Sequence, residues 1–273
     1  MTHISEIIEK FNSISIPDYL LYESYTRGVY LINTWIENRK DEQQSSIPEE
    51  LKYRDWQTDK NNCGATPLMY WVECRKYEPI QEELKYPGWQ TSKDKNGLTP
   101  LMFWIECRKY DPIPEELKYP GWQTDKNNHG DVPLLHWIQY RKGEPIPKEL
   151  KYPGWQTDKK FGYETPLIVW IQFRKDEQIL GELKYPGWQT DKNYLKETPL
   201  MMWIKHRKYE PILYASRLEP QIDTPEELKY PGWETDKNQW NETPLMLWKH
   251  YRKNDSINSR RFGTSFSNHR VIY

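Results

Sequence analysis

The stretch Thr99-Pro100-Leu101-Met102-Phe103-Trp104-Ile105-Glu106-Cys107-Arg108-Lys109 decides the fold, because close copies of it recur along the chain. Its first residue is matched at Thr66, Val132, Thr165 and Thr198, at steps of 33 residues, and then at Thr243. A second stretch keeps the same beat. Leu51, Leu84, Leu117, Leu150 and Leu183 each open a Leu-Lys-Tyr run that leads to Trp-Gln-Thr, and the last copy, Leu228, comes 45 residues after Leu183. About 12 extra residues therefore fall in that interval, at 213–224. A fixed period of this length marks stacked supersecondary repeats, none of which buries its apolar face alone.

Within one repeat the local signals agree. Thr99 before Pro100 reads as an N-cap followed by proline at the first helical position, where a missing N–H costs nothing. The helix is predicted to run to about Lys109 and to end at Tyr110-Asp111-Pro112, since proline disfavours helical geometry in the residue before it. Ile113 to Tyr119 reads as a second, very short helix with Pro114 and two acids at its start. Trp122 to Asp125 is predicted to be extended, and Lys126 to Gly130 to be a tight turn. Residues 1–25 form an expected N-terminal cap, with a short helix over Ile4 to Phe11 and a half-repeat over Ile16 to Tyr22. Residues 26–253 hold one worn repeat, aligned from Gly28 to Lys40, and six full ones, and 254–273 are a partly flexible tail.

The period, the Gly-x-Thr-Pro-Leu opening at Gly64 to Leu68 and Gly97 to Leu101, the second short helix and the protruding turn resemble the ankyrin-repeat family. The chain departs from that pattern where the family places histidine after Thr-Pro-Leu, which here is Met69, Met102, Leu135, Ile168, Met201 or Met246. It departs again where the family has a small alanine pair, as at Trp71-Val72. The resemblance implies an all-α fold, a helical solenoid with short extended arms. It also implies a non-enzymatic scaffold that binds a partner protein through a concave face built from turn tips and the outer side of the first helix.

Copies within the chain separate two faces of that helix. Leu68, Trp71 and Arg75, and their equivalents up to Leu245, Trp248 and Arg252, repeat in all six full copies and read as stacking positions. The opposite side varies: Tyr70, Phe103, His136, Val169, Met202 and Leu247. The turns vary too, carrying His129, Phe161, Tyr163, Tyr194, Leu195 and Trp240. Aromatic residues are enriched at binding hot spots. The expected partner contacts are therefore Tyr70, Phe103, His129, His136, Phe161, Tyr163, Tyr194, Leu195, Met202 and Trp240.

Composition narrows the chemistry. With 14 Trp and 20 Tyr in a chain only 36% hydrophobic, the core is expected to be aromatic and thin. A net charge of −1 gives no overall attraction to nucleic acid or to an anionic membrane. The Arg-Lys pair that closes each first helix, from Arg39-Lys40 to Arg252-Lys253, could track phosphates if exposed. Its place on the apolar side favours instead an internal ion-pair ladder with acids such as Glu78 and Glu144. The second tryptophan of each repeat, such as Trp89 or Trp155, is expected to pack as core. No phosphate loop, nucleophile elbow or metal-ligand spacing is present, so no enzyme activity, cofactor or metal is expected. Cys63, Cys74 and Cys107 read as reduced thiols, and no apolar run suits a signal peptide or membrane span. The expectation is a cytoplasmic, monomeric recognition protein, with a nucleic-acid-binding solenoid or a host-directed effector or inhibitor as alternatives.

Overall fold

A computed structural model describes residues 27–38, 46–206 and 225–251. The predicted cap at 1–25, the Arg39-Lys40, Arg207-Lys208 and Arg252-Lys253 pairs, the insertion at 213–224 and the tail at 254–273 lie outside the described residues. The chain divides into two compact units, Met1–Tyr119 and Pro120–Tyr273. Among the described residues all regular structure is helical. The first unit holds α1 (Arg27–Asn38), α2 (Pro67–Cys74) and α3 (Pro100–Cys107), and the second α4 (Pro133–Tyr140), α5 (Pro166–Phe173), α6 (Pro199–His206) and α7 (244–251). Within each unit successive helices pack on one another, α1 on α2 on α3 and α4 on α5 on α6, as in a helical repeat array.

The proline-led starts of α2 to α5 lie where the sequence puts them, although Val132 and Thr165 make no side-chain cap hydrogen bond. Thr66 and Thr99 sit in extended geometry, and their side-chain oxygens accept from the N–H of Met69 and Met102, with proline next in line. Helices α2 to α5 are eight residues long rather than the expected ten or so, because the arginine after each leaves helical geometry, as Arg108 does at φ −112, ψ 70. Its N–H still donates to the Trp104 carbonyl at 3.0 Å.

The rest of the repeat is tighter than expected. The short second helix is a single 3₁₀ turn, Glu82–Leu84 or Glu115–Leu117, and it buries only its leucine. The stretch expected to be extended is also a 3₁₀ turn over three of its four residues, as at Trp155–Thr157 and Trp188–Thr190. Glycine explains the difference. Gly154 and Gly187 lie at φ 82 and 84, turning the chain so that the Thr157 and Thr190 hydroxyls reach back to their carbonyls at 3.1 and 3.0 Å.

The core is aromatic, as expected. Trp71, Trp170 and Trp203 are fully buried; of the second tryptophans, Trp89, Trp155 and Trp188 are buried at the start of their 3₁₀ turns, whereas Trp56, Trp122 and Trp233 are half-buried. Trp71, Trp104 and Trp137 also donate their indole N–H to the carbonyls of Pro79, Pro112 and Pro145 at 3.0, 3.1 and 3.0 Å. One side chain thus fills the core and fixes the path of the following loop.

The arginine ladder is internal, but its main partners are backbone carbonyls rather than carboxylates. Arg174 is buried against the Trp170 ring at 4.2 Å and donates to the carbonyls of Ile138, Trp137, Arg141 and Glu144. Arg108 does the same to Val72, Arg75 and Glu78, at 3.4, 2.7 and 2.7 Å. A short helix leaves carbonyls unpaired at its end, and the guanidinium of the next repeat supplies five fixed donors to meet them. Ion pairs such as Arg174 with Glu177 at 3.0 Å are additional.

Candidate functional site

Five of the six turns that precede α2 to α7 are built by one side chain, and the sixth, Lys160 to Glu164, is closed by backbone hydrogen bonds. Asn127 Oδ1 accepts from the N–H of His129 and Asp131 at 2.8 and 2.9 Å, and the Asn127 N–H donates to the Asp131 carbonyl at 3.0 Å. Asn61, Asp94, Asn193 and Asn238 repeat this arrangement, closing five-residue tips. The fourth residue of every tip has positive φ: Gly64, Gly97, Gly130, Tyr163, Lys196 and Asn241. Half of these are not glycine, and all three such exceptions belong to the second unit.

Adjacent tips are joined. In the first unit the Lys95 N–H donates to the Cys63 carbonyl at 3.0 Å. In the second, Phe161 donates to His129, Tyr194 to Gly162 and Gln239 to Leu195, at 3.2, 2.8 and 2.9 Å. A side chain on Gly130 would meet the Phe161 backbone at 2.8 Å, and one on Gly162 would meet the Tyr194 ring at 3.2 Å. The Phe161 and Tyr194 rings therefore lie against the glycines of the preceding tips.

This ladder gathers most of the expected contact residues into one ridge. Phe161, Tyr163, Tyr194 and Trp240 are 72, 64, 58 and 54% exposed, with His129 exposed and Leu195 half-buried beside them. All lie in the second unit. The tips of the first unit, Asn61 to Ala65 and Asp94 to Leu98, carry no aromatic residue. Tyr70 is half-buried on α2 of the first unit.

Phe103, His136 and Met202 do not join the ridge. They are buried, as are Val169 and Leu247 at the same helical position. The two-faced helix expected from the internal comparison fails here because so short a helix is covered on both sides. Asn127 Nδ2 lies 3.1 Å from His136 Nε2, and Asn193 Nδ2 lies 3.7 Å from Met202 Sδ, so the tip itself roofs this position. Burial pushes the His136 imidazole down to about 4. In α3, α4 and α5 the accessible positions are confined to the last two, as at Tyr140, whereas Tyr70 in α2 is half-buried and Leu245 and Met246 in α7 are exposed.

A second set of residues went unnoticed in the sequence. Asp131, Glu164, Glu197 and Glu242 stand directly before the helix caps of the second unit, where the first unit has Ala65 and Leu98. Asp131 and Glu197 are buried, and each carboxylate is held by a neighbour: Asp131 by Gln139, Glu164 by Lys160, Glu197 by Lys205 and Glu242 by Asn238. That switch from apolar to acidic between the two halves was the available signal.

Among the described residues no cluster of three histidine, cysteine or acidic groups is placed to hold a metal, and no helix is long and apolar enough to cross a membrane. In comparisons with known proteins, no family model and no curated protein matches the chain.

Proposed function

We propose that this protein is a non-enzymatic recognition module of ankyrin-like type, which binds another protein through the aromatic ridge of its second unit. The contacts are Phe161, Tyr163, Tyr194, Leu195 and Trp240, with His129 at the border. One observation carries the reading: Tyr163 is 64% exposed and sits at φ 60, where three other tips have glycine. A bulky residue in left-handed geometry costs of order 1–3 kcal/mol, and its ring contributes no core packing in return. Exposed aromatic rings on a hydrogen-bonded, pre-formed ladder suit a partner surface, since little freedom is lost on binding.

Burial of Arg108, Arg141 and Arg174 speaks against the nucleic-acid alternative, because it removes these three arginines of the basic ladder from any phosphate. Site-directed photo-crosslinking tests the proposal. A benzophenone side chain at position 163 is expected to cross-link a discrete protein from lysate, whereas the same group at Tyr77, which is 99% exposed outside the tips, does not. Equal labelling from both positions would count against the ridge.

A further inference from the structure

A cleft in the second unit stands open where its counterpart is filled from within. Between α4 and α5, Lys160 places its Nζ 3.1 Å from Glu164 and 3.7 Å from Asp131, 6.0 Å from the centre of the Phe173 ring. Gln139 donates to Asp131 at 3.4 Å. The chain here holds an ammonium between two carboxylates beside an aromatic face, the arrangement that recognises a cation.

The same positions recur two repeats later. Glu197 replaces Asp131, Glu242 replaces Glu164, Tyr251 replaces Phe173, and Lys205, in the place of Gln139, donates to Glu197 at 2.7 Å. The position of Lys160 is taken by Asn238, whose Nδ2 donates to Glu242 at 3.0 Å and whose Oδ1 holds the tip. An open cleft of about 380 Å³ results, lined by Glu197, Lys205, Trp240, Glu242, Leu247 and Tyr251. Among the described residues Glu242 has no cationic partner.

We infer that this cleft binds a basic side chain, lysine or arginine, presented by the protein partner. Glu242 supplies the counter-charge, Trp240 and Tyr251 supply aromatic faces, and Leu247 meets the alkyl stem. The guest charge takes the place that the Lys160 ammonium takes in the earlier copy. The inference rests on the recognition reading and adds a chemistry to it: a partner with a basic residue at the contact.

Indole N–H resonances of the ¹⁵N-tryptophan-labelled protein provide the test, with the Trp240 signal assigned from a Trp240→Phe variant. Nα-acetyl-arginine methylamide and Nα-acetyl-lysine methylamide are the probes, and Nα-acetyl-citrulline methylamide is the uncharged control. Both cations are expected to shift the Trp240 signal saturably, and citrulline is not. Glu242→Gln should weaken the response at least about threefold, and Asn238→Lys, which restores the chain's own ammonium, should abolish it. The other indole signals report whether each variant is folded. No response to either cation, an equal response to citrulline, or an unchanged response in folded Asn238→Lys overturns the inference. Partner cross-linking that needs the ridge but ignores Asn238→Lys would leave the recognition reading standing and remove only the cation site.

Discussion

Tyr194 donates its backbone N–H to the carbonyl of Gly162 at 2.8 Å and rests its ring against that glycine, so one tip positions the next. Recognition and folding therefore share a backbone ladder, and the two can be separated by choosing residues that serve one of them.

Gly130 serves the ladder. It lies at φ 77, and an added Cβ would meet the Phe161 backbone nitrogen at 2.8 Å. Gly154 lies at φ 82 with nothing within 4 Å of an added Cβ. Gly154→Ala is expected to cost about 1 kcal/mol from backbone strain alone, and Gly130→Ala about 2–3 kcal/mol, because the inter-tip hydrogen bond is lost as well. Denaturant midpoints check the order.

Tyr163 serves recognition. Tyr163→Gly removes the strain of φ 60 but gives the unfolded chain more freedom, so stability is expected to hold or to rise by up to about 1 kcal/mol. Cross-linking from a neighbouring tip should fall sharply in the same variant. A loss of stability together with unchanged cross-linking would reverse the assignment.

Arg174 serves stacking. Arg174→Ala leaves carbonyls of the preceding repeat without their buried donors, and a loss of about 3–5 kcal/mol is expected. Lys175→Ala, at an exposed neighbour, should stay within about 0.5 kcal/mol of wild type. Urea unfolding followed by tryptophan fluorescence distinguishes the two.

The last described repeat differs from the earlier ones at the position of Gln189. Gln156 and Gln189 each donate to a carbonyl of the following repeat, at 2.9 Å, and the equivalent position in the last repeat is Glu234, which is exposed. Gln189→Glu is expected to cost about 2 kcal/mol, since a carboxylate would face the carbonyls of Glu227 and Lys229. Glu234→Gln should change the melting temperature little.

His136 makes stability depend on pH. Its folded value of about 4 lies below the unperturbed value of about 6.5, so the unfolded chain binds the extra proton between these limits. Stability from this group is present above about pH 6.5 and is lost as pH falls toward 4, by at most roughly 3 kcal/mol. His136→Met copies the residue found at Met202 and should flatten that part of the profile relative to wild type. Chemical denaturation at several pH values gives the difference.

The repeat, the helix starts, the tryptophan core and the exposed tips were legible because each depends on local chemistry or on a side chain repeated in register. Two features were not. Arg174 looked like an ion-pair residue because sequence shows its charge but not the backbone carbonyls of the preceding helix. Phe103, His136 and Met202 looked free because their position varies, yet the preceding tip covers that position whatever side chain stands there, as Asn127 does for His136 and Asn193 for Met202. Trp122 to Thr124 curl into a 3₁₀ turn because Gly121, at φ 83, sets the direction before any strand partner could.

The most direct test of the account is partner capture by the chain bearing Phe161→Ala, Tyr163→Gly, Tyr194→Ala and Trp240→Ala together, compared with wild type. The account predicts a variant with unchanged helical circular dichroism whose bound partner falls by at least roughly tenfold, as removal of a hot spot requires. A folded variant that captures the same proteins in the same amounts would contradict it.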